Sequence, residues 1–245
     1  MKIIDGHSHI GNFGSWARFD FDLERLKEQM AKFNIEKTLL TGSHCHDNAA
    51  VLDAFQKEPE LIIPVAWVKP GEPGILEEIR RFVAEGFRAV KLHPLFDAYC
   101  ADDDFVDPVL DLAEELDIPV FIHSGHPPYS LPWQIAWLAE RHPNVKMVML
   151  HMGHAHGVYV DAALKVARRC PNIYLDTSGS PMSVKIREAY DTVGADRVLF
   201  GIDSPFHEPS VEIEKIRATY LPEDGLRRIF HDNAARLFGL DSSEG

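Results

Sequence analysis

Cysteine is scarce in this 245-residue chain: Cys45, Cys100 and Cys170 are scattered, odd in number and never paired as C-x-x-C. That excludes a disulfide framework and makes a reducing compartment, the cytoplasm, the expected setting. Positive charge is also short, with 25 Lys and Arg against 38 Asp and Glu, a net charge of −13. Such a surface repels phosphate backbones, so non-specific nucleic-acid binding is excluded and any anion site must be a local cationic pocket. No apolar run reaches the roughly 18–20 residues of a membrane helix. A strand candidate begins at Lys2, which leaves no room for a signal peptide. Linkers and low-complexity tracts are missing, and only the tail Asp241–Gly245 is expected to fray. The expected partner is therefore a small molecule, with neither membrane nor nucleic acid, and with a homodimer admitted on general grounds.

What is present is a chain that is 45% hydrophobic, enough to bury a sizeable core. Eight short apolar runs recur along it: Ile3–Ile4, Thr38–Leu40, Leu61–Val68, Ala89–Leu92, Val120–Ile122, Val145–Leu150, Ile173–Leu175 and Val198–Ile202. Rich in Val, Ile, Leu and Phe, they read as strands of a parallel sheet buried on both faces. Between them lie helical spacings, such as Leu23, Leu26, Met30 and Phe33, or Ile75, Ile79, Phe82 and Val83. Leu110, Ala113 and Leu116 continue the pattern, and Pro108 and Pro132 stand near helix starts, where a missing N–H costs nothing. Eight βα units in about 240 residues predict an α/β fold, a (β/α)₈ TIM barrel forming a single domain over residues 1–245.

The chemistry sits where these runs end. Asp5-Gly6-His7-Ser8-His9 closes the first run, and residues i and i+2 of a strand share a face, so His7 and His9 project together. His123 closes the fifth run, His151 the sixth and Asp203 the eighth. In a barrel these C-terminal strand ends gather on the face that carries active sites. Three imidazoles with a carboxylate suit Zn²⁺ or a related divalent ion, which lowers the pKa of bound water to about 7.

These segments resemble the amidohydrolase superfamily, in the branch related to aminocarboxymuconate-semialdehyde decarboxylase. The likeness spans nearly the whole chain. It rests on Asp5–His9, Val90-Lys91-Leu92-His93-Pro94, Ile122-His123-Ser124-Gly125, His151-Met152-Gly153, Gly201-Ile202-Asp203-Ser204-Pro205-Phe206 and Asn233-Ala234-Ala235-Arg236-Leu237. The resemblance implies one divalent ion, zinc first and manganese as an option, on His7, His9, His123 and Asp203. It gives His151 the role of polarising or deprotonating the attacking water or the substrate. The family's activities include hydrolysis, lactone opening, hydration and non-oxidative decarboxylation. Its best-known decarboxylases are longer, with larger loops at the barrel mouth; here the main candidate lid is Gly11–Phe19.

The expected reaction is hydrolysis of a small, anionic amide, ester or lactone, with His151 and Asp203 catalytic. Decarboxylation of an aromatic or unsaturated acid at the same site is the alternative. A two-ion phosphoesterase is opposed by the acidic charge, and a non-catalytic barrel by the full set of polar strand ends. Lys91 and His93 share a face at the end of the fourth run and are expected to bind substrate. A carbamylated Lys91 bridging two ions, as in other branches, and a structural ion pair are the other readings. Trp16 and Arg18 on the first loop are candidate specificity residues. His126 and His154 are expected to support the ligands. Asp176 reads as either a cap or a group facing the mouth. His44-Cys45-His46 and Asp102-Asp103-Asp104 read as solvated loops.

Overall fold

The computed structural model describes residues 1–14, 17–154 and 157–240. Trp16 and the tail from Asp241 therefore lie outside the described residues. Each apolar run becomes a barrel strand: β1 Ile3–His9, β2 Ile35–Thr41, β3 Ile62–Trp67, β4 Ala89–Leu92, β5 Val120–His123, β6 Met147–Leu150, β7 Ile173–Asp176 and β8 Val198–Leu199. They form one eight-stranded sheet in sequence order, and each neighbouring pair is parallel.

The seam between β1 and β8 is closed by the segment that follows β8. Gly6 N donates to Phe200 O at 2.8 Å, Asp203 N to His7 O at 2.6 Å and His9 N to Ser204 O at 2.7 Å. Asp5 locks the same seam. Its carboxylate accepts Ile202 N at 2.9 Å and Thr38 Oγ1 at 2.9 Å, together with the Ser8 hydroxyl.

Helices cover the outside. In α1, Leu23–Phe33, Asp22 caps the start by accepting Arg25 N, and Leu26 and Met30 are its buried face. Asn34, left-handed at φ 57°, ends it. The covering helices that follow α1 are α2 Asn48–Lys57, α3 Ile75–Ala84, the short α4 Pro94–Asp97, α5 Asp107–Glu115, α6 Pro132–Arg141, α7 Gly157–Arg169, α8 Ser183–Thr192 and α9 Pro209–Arg217. The barrel interior is a separate apolar cluster of Ile4, Leu39, Ile63, Val65, Ala89, Phe121, Val148, Leu150 and Leu199. The helical C-terminus plugs its floor, where Phe238 stacks on Phe121 at 6.2 Å. No helix among the described residues is long and apolar enough to cross a membrane.

Alternation along each strand fixes what reaches the mouth. With Ala89 inward, Lys91 and His93 follow inward; with Phe121 inward, His123 follows; with Leu199 inward, Gly201 and Asp203 follow. The same count from inward Ile4 would turn His7 and His9 outward. A register shift between Asp5 and Ser8, three residues on β1 against two on β2, corrects it. That bulge re-aims both histidines into the mouth.

Candidate metal centre

His7, His9 and Asp203 are buried, and one ligand atom from each lies within 4.8 Å of the others. Asp203 Oδ1 stands 3.2 Å from His7 Nε2 and 3.3 Å from His9 Nε2. Donors held ~2.0–2.1 Å from a tetrahedral ion stand about 3.3 Å apart, so the spacing is that of neighbouring ligands. The tautomer agrees for His9. Its Nδ1 sits 2.8 Å from Gly42 O, and a carbonyl only accepts, so Nδ1 carries the proton and Nε2 offers a lone pair. Burial first, and the nearby Lys91 charge second, push His7 and His9 below the usual imidazole range, so both are neutral at pH 7. Burial pushes the Asp203 carboxyl up, and the polar groups around it, the His7 ring first, bring it below the usual carboxylate range. Two neutral imidazoles with one carboxylate fit a divalent cation, and zinc and manganese both accept such a set.

His123 stands beside this group rather than in it. Its ring stacks on His93 at 3.9 Å and its Nδ1 lies 3.1 Å from His151 Nε2. Its Nε2 is buried with no hydrogen-bond partner. Of the four ligands expected from sequence, three converge and the fourth lines the adjoining cavity. Two of the site residues have left-handed backbones, His151 at φ 64° and Asp203 at φ 63°. For non-glycine residues this is a strained choice, costing of order 1–3 kcal/mol each.

Lys91 is fully buried, with Nζ 3.1 Å from both His7 Nε2 and His9 Nε2 and 5.0 Å above the Trp67 ring. Its ammonium thus meets imidazoles rather than the partner carboxylate of a structural ion pair. Burial brings its pKa down to about 7.

Above these groups opens a cavity of about 310 Å³. Phe13, Trp67, His93, Phe96 and Phe206 form its walls, and His123, His126, His154 and His207 its polar side. The wall is a stack of flat rings: His93 on Phe96 at 4.3 Å and 7°, and Trp67 on His93 at 5.0 Å and 17°. Trp67 is held in plane by Nε1 donating to Asp97 Oδ2 at 2.9 Å. No lysine or arginine lines the cavity among the described residues. Arg18 is exposed on its loop and does not line it, and Trp16 lies outside the described residues.

Sequence reading missed the aromatic wall. Trp67 looked like core at the end of an apolar run, and Phe206 lay in a quoted motif without a role. The available signal was parity: with Val65 inward, Trp67 must also face inward. Asp176 turns into the barrel interior, fully buried.

A family model described as Amidohydrolase matches residues 5–240. Among curated relatives, the chain is similar to a gamma-resorcylate decarboxylase of Rhizobium sp. (strain MTP-10005), 25% identical over 53% of each chain. The match thus spans about half the length of that relative. Three solved structures share the fold. One is an uncharacterised TIM-barrel protein from Bordetella bronchiseptica, with TM-score 0.81, 23% identity, and 98% of this chain and 99% of that one covered. Another is a dihydroxybenzoic acid decarboxylase from Polaromonas sp. JS666 with bound manganese and the inhibitor 2-nitroresorcinol, with TM-score 0.75, 18% identity, and 99% and 98% covered. The third is a probable 2-pyrone-4,6-dicarboxylic acid hydrolase from Acinetobacter baumannii, with TM-score 0.76, 18% identity, and 98% and 100% covered.

Proposed function

The chain belongs to the amidohydrolase family, and from that premise we propose that it is a metal-dependent, non-oxidative decarboxylase of small aromatic acids. One observation carries the reading: a flat slot of stacked rings opens beside three converging ion ligands. A single aromatic ring fits a cavity of this size and shape, and its carboxylate has no lysine or arginine on the lining to meet. The likeness to a curated decarboxylase supports the same choice over hydrolysis.

A divalent ion on His7, His9 and Asp203, with His123 adjoining, would bind and polarise the acid's oxygens. The chain's own groups do the rest. Trp67, His93 and Phe96 hold the ring in plane, and Phe13 and Phe206 exclude water from it. When the ring–carboxyl bond breaks, CO₂ leaves and the bonding electrons remain on the ring carbon, which takes up one proton. Asp203 and His151 would hold and deliver that proton. Lys91, beneath the ligands, sets the charge of the site rather than touching the ring.

Hydrolysis of a planar lactone is the second reading. It is favoured by Asp203, an ionised carboxylate able to accept a proton from water beside the ion site. Product analysis separates the two. Manganese- and zinc-loaded protein is incubated with a panel of hydroxylated benzoates and with a pyrone lactone. Decarboxylation yields one CO₂ per phenol formed. A ring-opened acid from the lactone, with no CO₂ from any benzoate, returns the site to hydrolysis.

A further inference from the structure

Ser178 and Asp176 have no part in the ion site, yet they meet His151 from behind. Asp176 ends β7 and sends its side chain into the barrel, where Oδ1 collects three donors. His151 N and Ser178 N each reach it at 3.2 Å, and the Ser178 hydroxyl hydrogen-bonds to it as well. One oxygen thus ties the end of β6 to the turn after β7. Because the hydroxyl hydrogen goes to Asp176, the lone pairs of Ser178 Oγ face the other way, toward His151 Nδ1 at 3.0 Å. Ser178 O lies 3.0 Å from the same nitrogen. Two acceptors therefore bracket Nδ1, and the ring can satisfy both only with its proton there. Nε2 is then the lone-pair nitrogen, and it points to His123 Nδ1, 3.1 Å away.

The turn is shaped for this contact. Gly179 has φ 64°, and a Cβ there would stand 3.4 Å from His151 Nδ1 and 3.1 Å from His207 Nε2. Ser178 and Asp176 are both completely buried, so water does not compete for these bonds.

We propose that Asp176 and Ser178 are positioning residues that hold His151 as the Nδ1–H tautomer, with its Nε2 lone pair turned toward His123, which lines the cavity. The proposal rests on the reading of His151 as a proton-handling group, but its geometry can be tested without turnover. Loss of a partner that orients an active-site histidine lowers activity by about 10–100-fold.

The test compares wild type, Ser178→Ala and Ser178→Thr, all zinc-loaded, with ¹⁵N-labelled histidine. In wild type the His151 ring nitrogens give the shifts of an Nδ1–H tautomer. Ser178→Ala leaves Ser178 O as the one remaining acceptor on Nδ1, so a fraction of the Nε2–H form appears, kcat falls about 10–100-fold and KM and zinc content stay within about 2-fold. Ser178→Thr restores the hydroxyl, the wild-type tautomer and most of kcat. Wild-type shifts retained in Ser178→Ala, or an Nε2–H tautomer in the wild type itself, overturn the proposal. So does a threonine variant that recovers nothing, since packing alone would then explain the alanine loss. Should no acid be turned over by the wild type, the decarboxylase reading falls, while the nitrogen shifts still decide the role of Ser178.

Discussion

Lys91 Nζ lies 3.1 Å from His9 Nε2, the nitrogen that the Gly42 carbonyl leaves as a lone pair. The ammonium occupies the direction from which an ion would be bound, so proton and ion compete for the same electrons. Burial brings Lys91 to about 7 and holds His7 and His9 below the usual imidazole range, so of these three Lys91 is the one that changes charge near neutrality. Manganese affinity is therefore expected to rise from pH 6 to pH 8, with release of up to about one proton per ion at the lower end. Lys91→Met removes that competitor and flattens the slope. Titration calorimetry at pH 6, 7 and 8 checks this; an equal slope in the variant contradicts it.

The ligand triad makes a sharper prediction. His9→Ala or Asp203→Ala removes a donor that no described neighbour replaces at the same distance, whereas Arg18→Ala removes an exposed side chain outside the cavity. Elemental analysis of gently purified protein is expected to show one divalent ion per chain in wild type and in Arg18→Ala, and a loss of at least about 10-fold in affinity in the other two. Circular dichroism confirms that the fold persists. Full metal content with full turnover in both ligand variants excludes the site.

The barrel was legible in the sequence because its strands are buried on both faces and so read as continuous apolar runs. The site was legible wherever strand parity runs unbroken to the mouth, as it does to Lys91 and His93. It was less so at β1, where the i, i+2 rule paired His7 with His9 correctly but the bulge after Asp5 decides which way they face. For His123 the spacing reports the strand end and not the ring: the ring stacks on His93, its Nδ1 lies 3.1 Å from His151 Nε2, and its Nε2 is buried without a hydrogen-bond partner. Arg18 was beyond reach, since a loop has no periodicity to place it.

Gly201 records how tightly the barrel closes around Asp176. A Cβ at Gly201 would lie 2.0 Å from Asp176 Oδ2 and 3.3 Å from Ser178 Cβ. Gly201→Ala is therefore expected to destabilise by about 1–3 kcal/mol, the usual cost of overpacking. The carboxylate causes the clash, so Asp176→Ala should absorb most of that cost in the double variant, as neighbours that share space couple. Urea denaturation of the two single variants and the double variant measures the coupling. Additive losses would mean that Gly201 is required for its backbone and not for the space it leaves.

Asp176 also sets a pH dependence. Burial raises its carboxyl from 3.8 to about 7, and the three donors on Oδ1 offset only part of that rise. Below pH 3.8 the group is protonated in both folded and unfolded chains. Between 3.8 and about 7 the unfolded chain gives up the proton while the folded chain keeps it, so folding stability falls as pH rises through this window. Asp5, raised by burial to about 6, acts in the same direction over the lower part of the range. Lys91 acts oppositely above about 7, where the unfolded chain holds a proton the folded one has lost. The buried histidines act against this fall: His7, His9, His93, His123 and His151 are held below the usual imidazole range by burial, so below about pH 6.5 the unfolded chain binds protons that the folded one does not. The contribution of Asp176 is therefore read by difference: in ion-free protein Asp176→Asn, which cannot titrate, is expected to gain in urea midpoint relative to wild type as pH rises from 6 to 7. A variant curve parallel to wild type across that interval would show that the Asp176 carboxyl is already ionised in the folded barrel.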